Sequence, residues 1–132
     1  MFTAIDISTS ALVAQRTNLD VIAGNLANAH TTRGLDGSAY RRRYVVFAQG
    51  NPAGGKGAPG VHIQSVERDP SQLRKEYNPT HPDAVNGYVS MPNVDPAEEM
   101  VNAMMAARAY EANVAVMEIS KSMVAASLRL LA

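Results

Sequence analysis

The sequence of 132 residues contains no cysteine and no tryptophan, and its aromatic fraction is only 5%. Without cysteine there is no disulfide framework, thiolate metal site or cysteine nucleophile, which excludes zinc fingers, redox motifs and cysteine hydrolases. An excess of charge is missing too, because 12 Lys and Arg face 12 Asp and Glu. Nothing global therefore draws the chain to nucleic acid or to an anionic membrane. The N-terminus lacks a basic leader, and Asp6, Arg16 and Asp20 interrupt its apolar residues. It is expected to be neither a cleaved signal nor a membrane-spanning helix, so export would use another route.

What is present is unevenly distributed. All glycines but Gly24 and all prolines but Pro96 fall between residues 31 and 95, together with Tyr40, Tyr44, Phe47, Tyr77 and Tyr88. The two ends are rich in Ala, Met, Leu and Val. This composition predicts helix, then strands and turns, then helix, in a chain long enough for one modest domain.

In the N-terminal segment Ile5, Leu12, Leu19 and Leu26 recur at every seventh position, with Ile22 and Ala29 joining later. That is the seam of a coiled-coil helix. Ser8 and Gln15 weaken its first half, and Gly24 costs about 1 kcal/mol relative to Ala, so the helix is expected to be marginal alone.

The C-terminal segment opens with Asp95-Pro96-Ala97-Glu98: a capping acceptor, a proline at the first helical position and a carboxylate at the third. No Gly or Pro follows, and Met100, Ala107, Val114 and Leu128 alternate with Ala103, Tyr110, Met117, Val124 and Leu131 in heptad register, breached only at Lys121. Such a helix measures roughly 54 Å, against a diameter of roughly 36 Å for a compact chain of this size. An elongated molecule is predicted. Val101, Met104, Met105, Val116, Ile119, Met123 and Leu130 lie off the seam. One partner helix cannot cover both sets, which leaves apolar surface for neighbouring subunits. Small residues such as Ala106, Ala109, Ala112 and Ala115 would permit close helix approach. Between the helices, strands are expected over Tyr40 to Phe47, Val61 to Val66, Leu73 to Tyr77 and Tyr88 to Met91, with a loop from Gly50 to Gly60 and a turn at Asn86-Gly87.

The nearest approach to a catalytic motif is Gly50-Asn51-Pro52-Ala53-Gly54-Gly55-Lys56-Gly57. It satisfies G-x-x-x-x-G-K but lacks the following Ser or Thr and leads into a strand, not a helix, so it reads as a hairpin loop. His30, His62 and His81 lack metal-ligand spacing. Glu98 and Glu99 read as first-turn carboxylates that complement the helix dipole. Arg41-Arg42-Arg43 beside Tyr40 and Tyr44 resembles a nucleic-acid contact, but strand alternation would split it between faces, and an interface or solvated edge is the better reading. The methionines read as packing. No catalytic, cofactor or metal residue is assigned.

The stretch from Ala11 to Ala29, with Asn18-Leu19-Asp20-Val21-Ile22-Ala23-Gly24-Asn25-Leu26-Ala27-Asn28-Ala29 at its centre, resembles the N-terminal motif of the axial proteins of the bacterial flagellar rod and hook. Tyr40-Arg41-Arg42, His81-Pro82-Asp83-Ala84, Gly87-Tyr88-Val89, Met91-Pro92-Asn93-Val94 and Ala107-Arg108-Ala109-Tyr110-Glu111-Ala112-Asn113-Val114 are similar to the proximal rod members of that family. His30 and the stretches 34–38 and 50–60 depart from its pattern.

The resemblance implies an α+β chain in which residues 1–30 and 96–132 pair as an α-helical coiled coil around a β-rich insert of residues 31–95. It also implies a structural subunit of the flagellar drive shaft, exported uncleaved through the flagellar type III apparatus and polymerised helically in the periplasmic space. Its partners would be copies of itself, other rod proteins and a protein of the rod base beside the export gate, with no nucleic acid. Ile5, Leu12, Leu19, Ile22, Leu26, Met100, Met104, Ala107, Tyr110, Val114, Met117, Val124, Leu128 and Leu131 are the candidate assembly residues. A stand-alone coiled-coil adaptor is the alternative.

Overall fold

The computed structural model describes residues 2–50 and 58–131. In chain order it runs α1 (Phe2–Ala27), β1 (Arg43–Gln49), β2 (Val61–Arg68), β3 (Arg74–Tyr77), β4 (Tyr88–Met91) and α2 (Pro96–Leu131). The layout is α+β, two helices with a small β insert between them. Asp95 begins α2 as its cap: its Oδ1 accepts the Ala97 N–H at 2.9 Å and its carbonyl accepts the Glu99 N–H at 3.0 Å. Pro96 then occupies the first helical position, where no N–H is needed.

The helices pack against each other in opposite directions. The C-terminal end of α1 meets the first turn of α2 through a bond from Asn25 to Glu99, and farther along Gln15 and Ala109 line one groove. From Asn25 back to Phe2, α1 runs roughly 35 Å, while from Glu99 to Leu131, α2 runs roughly 48 Å, so the end of α2 projects beyond α1.

The insert holds two separate antiparallel pairs, β1 with β2 and β3 with β4. In the first, Val46 pairs with Ser65 and Phe47 with Ile63, which leaves Gln64 as a bulge. β1 starts at Arg43, not Tyr40, because the residues before it bond elsewhere: the Arg42 N–H donates to Asn93 Oδ1 at 2.8 Å and the Tyr40 N–H to the Thr31 carbonyl at 3.1 Å.

In the second pair Asn86 and Gly87 have φ of 53° and 83°, and Val85 and Tyr88 exchange N–H···O bonds around them at 2.8 and 3.1 Å. This is the two-residue turn that matches strand twist. A side chain at Gly87 would meet the Tyr77 ring at 3.0 Å. Of the loop expected from Gly50 to Gly60, residues 51–57 lie outside the described residues, and with them all but the first glycine of the G-x-x-x-x-G-K match. The Gly50 N–H donates to the Gly60 carbonyl at 2.8 Å.

Little of the chain is deeply buried. Among the described residues the buried apolar side chains are Ala14, Ile22, Ala29, Ala39, Val89, Pro92, Val94 and Ala106, of which four are larger than alanine. The accessible surface is 9059 Å², about a third above the roughly 6,700 Å² expected of a folded monomer of this mass. No described helix is long and apolar enough to cross a membrane.

Candidate assembly surface

The helix pair is locked to the insert by a polar knot. Asn25 and Glu99 are each 1% exposed. The Asn25 amide donates to the Arg43 carbonyl at 2.7 Å and to Glu99 Oε2 at 2.9 Å, and its oxygen accepts from the Arg43 N–H at 2.9 Å and the Tyr40 hydroxyl at 3.0 Å. Arg42 closes the knot, its Nε 2.6 Å from Glu99 Oε1 and its terminal nitrogens 3.6 Å from Asp69 and from Glu98. Burial alone would lower the Arg42 pKa, but the bond to Glu99 and the charges of Glu99, Glu98 and Asp69 outweigh it and raise it. Asn93 ties the same segment to Ser71, donating to its hydroxyl at 2.7 Å.

Glu99 stands in the first turn of α2, as expected of a dipole-complementing carboxylate, and is in addition the buried partner of Arg42. For Arg42 the expectation of a solvated edge is corrected: it is an internal ion-pair residue. Its signal was hidden because residues 25, 42 and 99 meet only in the folded chain.

The three histidines stand apart: His30 is exposed, His62 Nδ1 lies 2.9 Å from the Gly50 carbonyl, and His81 Nδ1 accepts the Asp83 N–H at 3.1 Å. Asp83 also accepts from the Thr32 hydroxyl at 2.9 Å, tying the loop after α1 to the turn before β4.

Along the helix pair, Ile22 is buried, and Ile5, Leu12, Leu19 and Leu26 of α1 are half-buried, as are Ala107, Tyr110, Val114, Met117 and Val124 of α2. Met100, Met104 and Leu128 are exposed, at 62%, 60% and 62%. Leu128 lies past the start of α1, where no α1 residue stands opposite it. The side chain of Leu131 lies outside the described residues. Of the small residues, Ala106 faces the chain's own core, whereas Ala112 and Ala115 are exposed. All seven off-seam residues of α2, Val101, Met104, Met105, Val116, Ile119, Met123 and Leu130, are between 49% and 88% exposed.

Folding also extends the basic cluster. A cleft of about 500 Å³ is lined by Arg41, Arg43 and Arg68 together with Leu35 and Asp36. Arg68 comes from the end of β2, so sequence distance concealed it. Leu35 is fully exposed on a turn braced by the Gly34 N–H bond to the Ser38 carbonyl at 2.7 Å and by Asp36 Oδ1, which accepts from the Ser38 N–H and hydroxyl at 3.1 and 2.8 Å.

Residues 5–33 match the family described as flagella basal body rod protein, and residues 85–130 the family described as flagellar basal body rod FlgEFG protein C-terminal. The flagellar basal-body rod protein FlgC of Salmonella typhimurium is 47% identical, covering 95% of this chain and 93% of its own. Its namesake in Borreliella burgdorferi is 41% identical over 99% and 97%, and that in Bacillus subtilis 37% over 98% and 97%. Similarity of this level from end to end, taking in both helices and the insert, means that the chain belongs to the FlgC family of flagellar basal-body rod proteins.

Proposed function

We propose that the chain is a structural subunit of the proximal part of the flagellar basal-body rod and has no catalytic role. Residues 1–30 and 96–132 act as one helical domain, paired as a coiled coil on the inner, tubular layer, and residues 31–95 form the outer insert. Subunits reach the periplasmic space uncleaved through the flagellar type III apparatus and assemble helically with one another, with other rod proteins and with a protein at the rod base. Torque passes through interlocked helices.

The observation that carries this reading is the apolar face of α2, which a single copy of the chain leaves in water. Contiguous exposed apolar surface of this kind marks an interaction face. Contacts between different faces of one subunit generate open helical filaments when the rotation between copies does not close.

The test is a strain lacking the chain, complemented with a tagged copy. Loss of motility and of rods, restored by the tagged copy and with the tag located in purified basal bodies, is the expected result. A tagged chain absent from basal bodies, or purified as a small closed oligomer in cells with normal rods, would overturn it.

A further inference from the structure

We infer that Leu35 and the adjoining Arg68 dock onto the exposed face of α2 in a second copy of this chain; the inference rests on the rod reading. Leu35 is a fully exposed apolar side chain held on a braced turn, so little conformational freedom is lost when it is covered. Arg68 sits beside it, 3.9 Å from Asp36, with its side chain 63% exposed. The cleft around them carries three arginines against one carboxylate.

The complementary surface lies on α2, where Ala115, Ile119, Ser122 and Met123 line a shallow depression, with Glu118 as its charged residue. The small Ala115 and Ser122 make the hollow, and Ile119 and Met123, 60% and 56% exposed, form its apolar walls. Glu118 has no cation within 4 Å among the described residues. An apolar knob beside a cation on one copy thus meets an apolar hollow beside an anion on the next, and the opposite charges fix the orientation. The two patches are different parts of one molecule, so the contact is heterologous, and it propagates where the rotation between copies does not close a ring.

The absence of native cysteine allows a direct test in purified basal bodies. In the double variant Leu35→Cys with Ser122→Cys, oxidation should join copies of the chain, and neither single variant should do so. Separately, Glu118→Arg should lower recovery of the chain in basal bodies about tenfold, the change produced by 1.4 kcal/mol in a binding constant, and adding Arg68→Glu should restore it. An incorporated double-cysteine chain that does not crosslink, an adduct with a different protein, or Glu118→Arg incorporating like the parent would overturn the inference. So would failure of the charge exchange to restore a chain that is still folded and exported. The parent chain's presence in the same basal bodies is scored independently, so failure of the docking contact is distinct from failure of the rod reading.

Discussion

Asn25 uses both amide hydrogens and both acceptor positions of its side chain, so no shorter or apolar residue replaces it without orphaning buried groups. The same holds for Arg42, whose removal leaves Glu99, 1% exposed, without its ion-pair partner. Breaking a buried pair by removing one partner costs about 3–5 kcal/mol. Arg42→Ala is therefore expected to lower the Tm of the isolated chain sharply, whereas Arg43→Ala, at an exposed position over the Tyr40 ring, should change stability by about 0.5 kcal/mol or less; equal melting temperatures for the two variants would contradict this. Gly24 behaves oppositely. A Cβ there meets nothing within 4 Å, so Gly24→Ala should raise stability by about 0.5–1 kcal/mol, seen as a higher denaturation midpoint. The N–H and hydroxyl of Ser71 hold the Asp69 carboxyl below its ordinary 3.8, and the hydroxyl and N–H of Ser38 do the same for Asp36. Groups with depressed folded values stabilise above the ordinary value, and that contribution is lost as pH falls through the folded one. Melting should occur at lower temperature below about pH 4 than at neutrality, and Asp69→Asn should reduce the difference.

At the scale of the elements, local signals were legible and distant ones were not. The cap at Asp95, the turn at Asn86-Gly87 and the strand from Val61 each depend on neighbours in sequence, and each formed where its residues indicated. Tyr40 to Arg42 did not join β1, because their polar groups bond to Thr31, Asn25, Asn93 and Glu99, partners that no periodicity connects. The knot and the basic cleft were illegible for the same physical reason, since hydrogen-bond and charge complementarity leave no repeat in the chain. The apolar residues of α2 are the most informative, because those that exceed what one helix can cover are countable before folding. Ala112, exposed on that face, separates folding from assembly: Ala112→Trp should leave the melting of the single chain nearly unchanged yet reduce recovery of rods, overpacking costing about 1–3 kcal/mol at each filled contact. Leu19→Asp and Val114→Asp, at half-buried positions in the helix pair, should lower both the melting temperature and the recovery of rods.

At the scale of the whole molecule, the excess surface identifies where order is cheapest to lose. In dilute solution hydrogen exchange should be slow around the knot and fast in the last turns of α2, because no α1 residue lies opposite them; uniform protection to the end of α2 in a monomer would oppose this. The unequal reach of the two helices has a further consequence. A hairpin with equal arms ends flush, and a stack of such hairpins can shear along each flat boundary. In the proposed rod, one arm longer by roughly 13 Å would make each boundary a scarf joint, in which the protruding end bridges the seam below it and no plane perpendicular to the axis passes between subunits without cutting a helix.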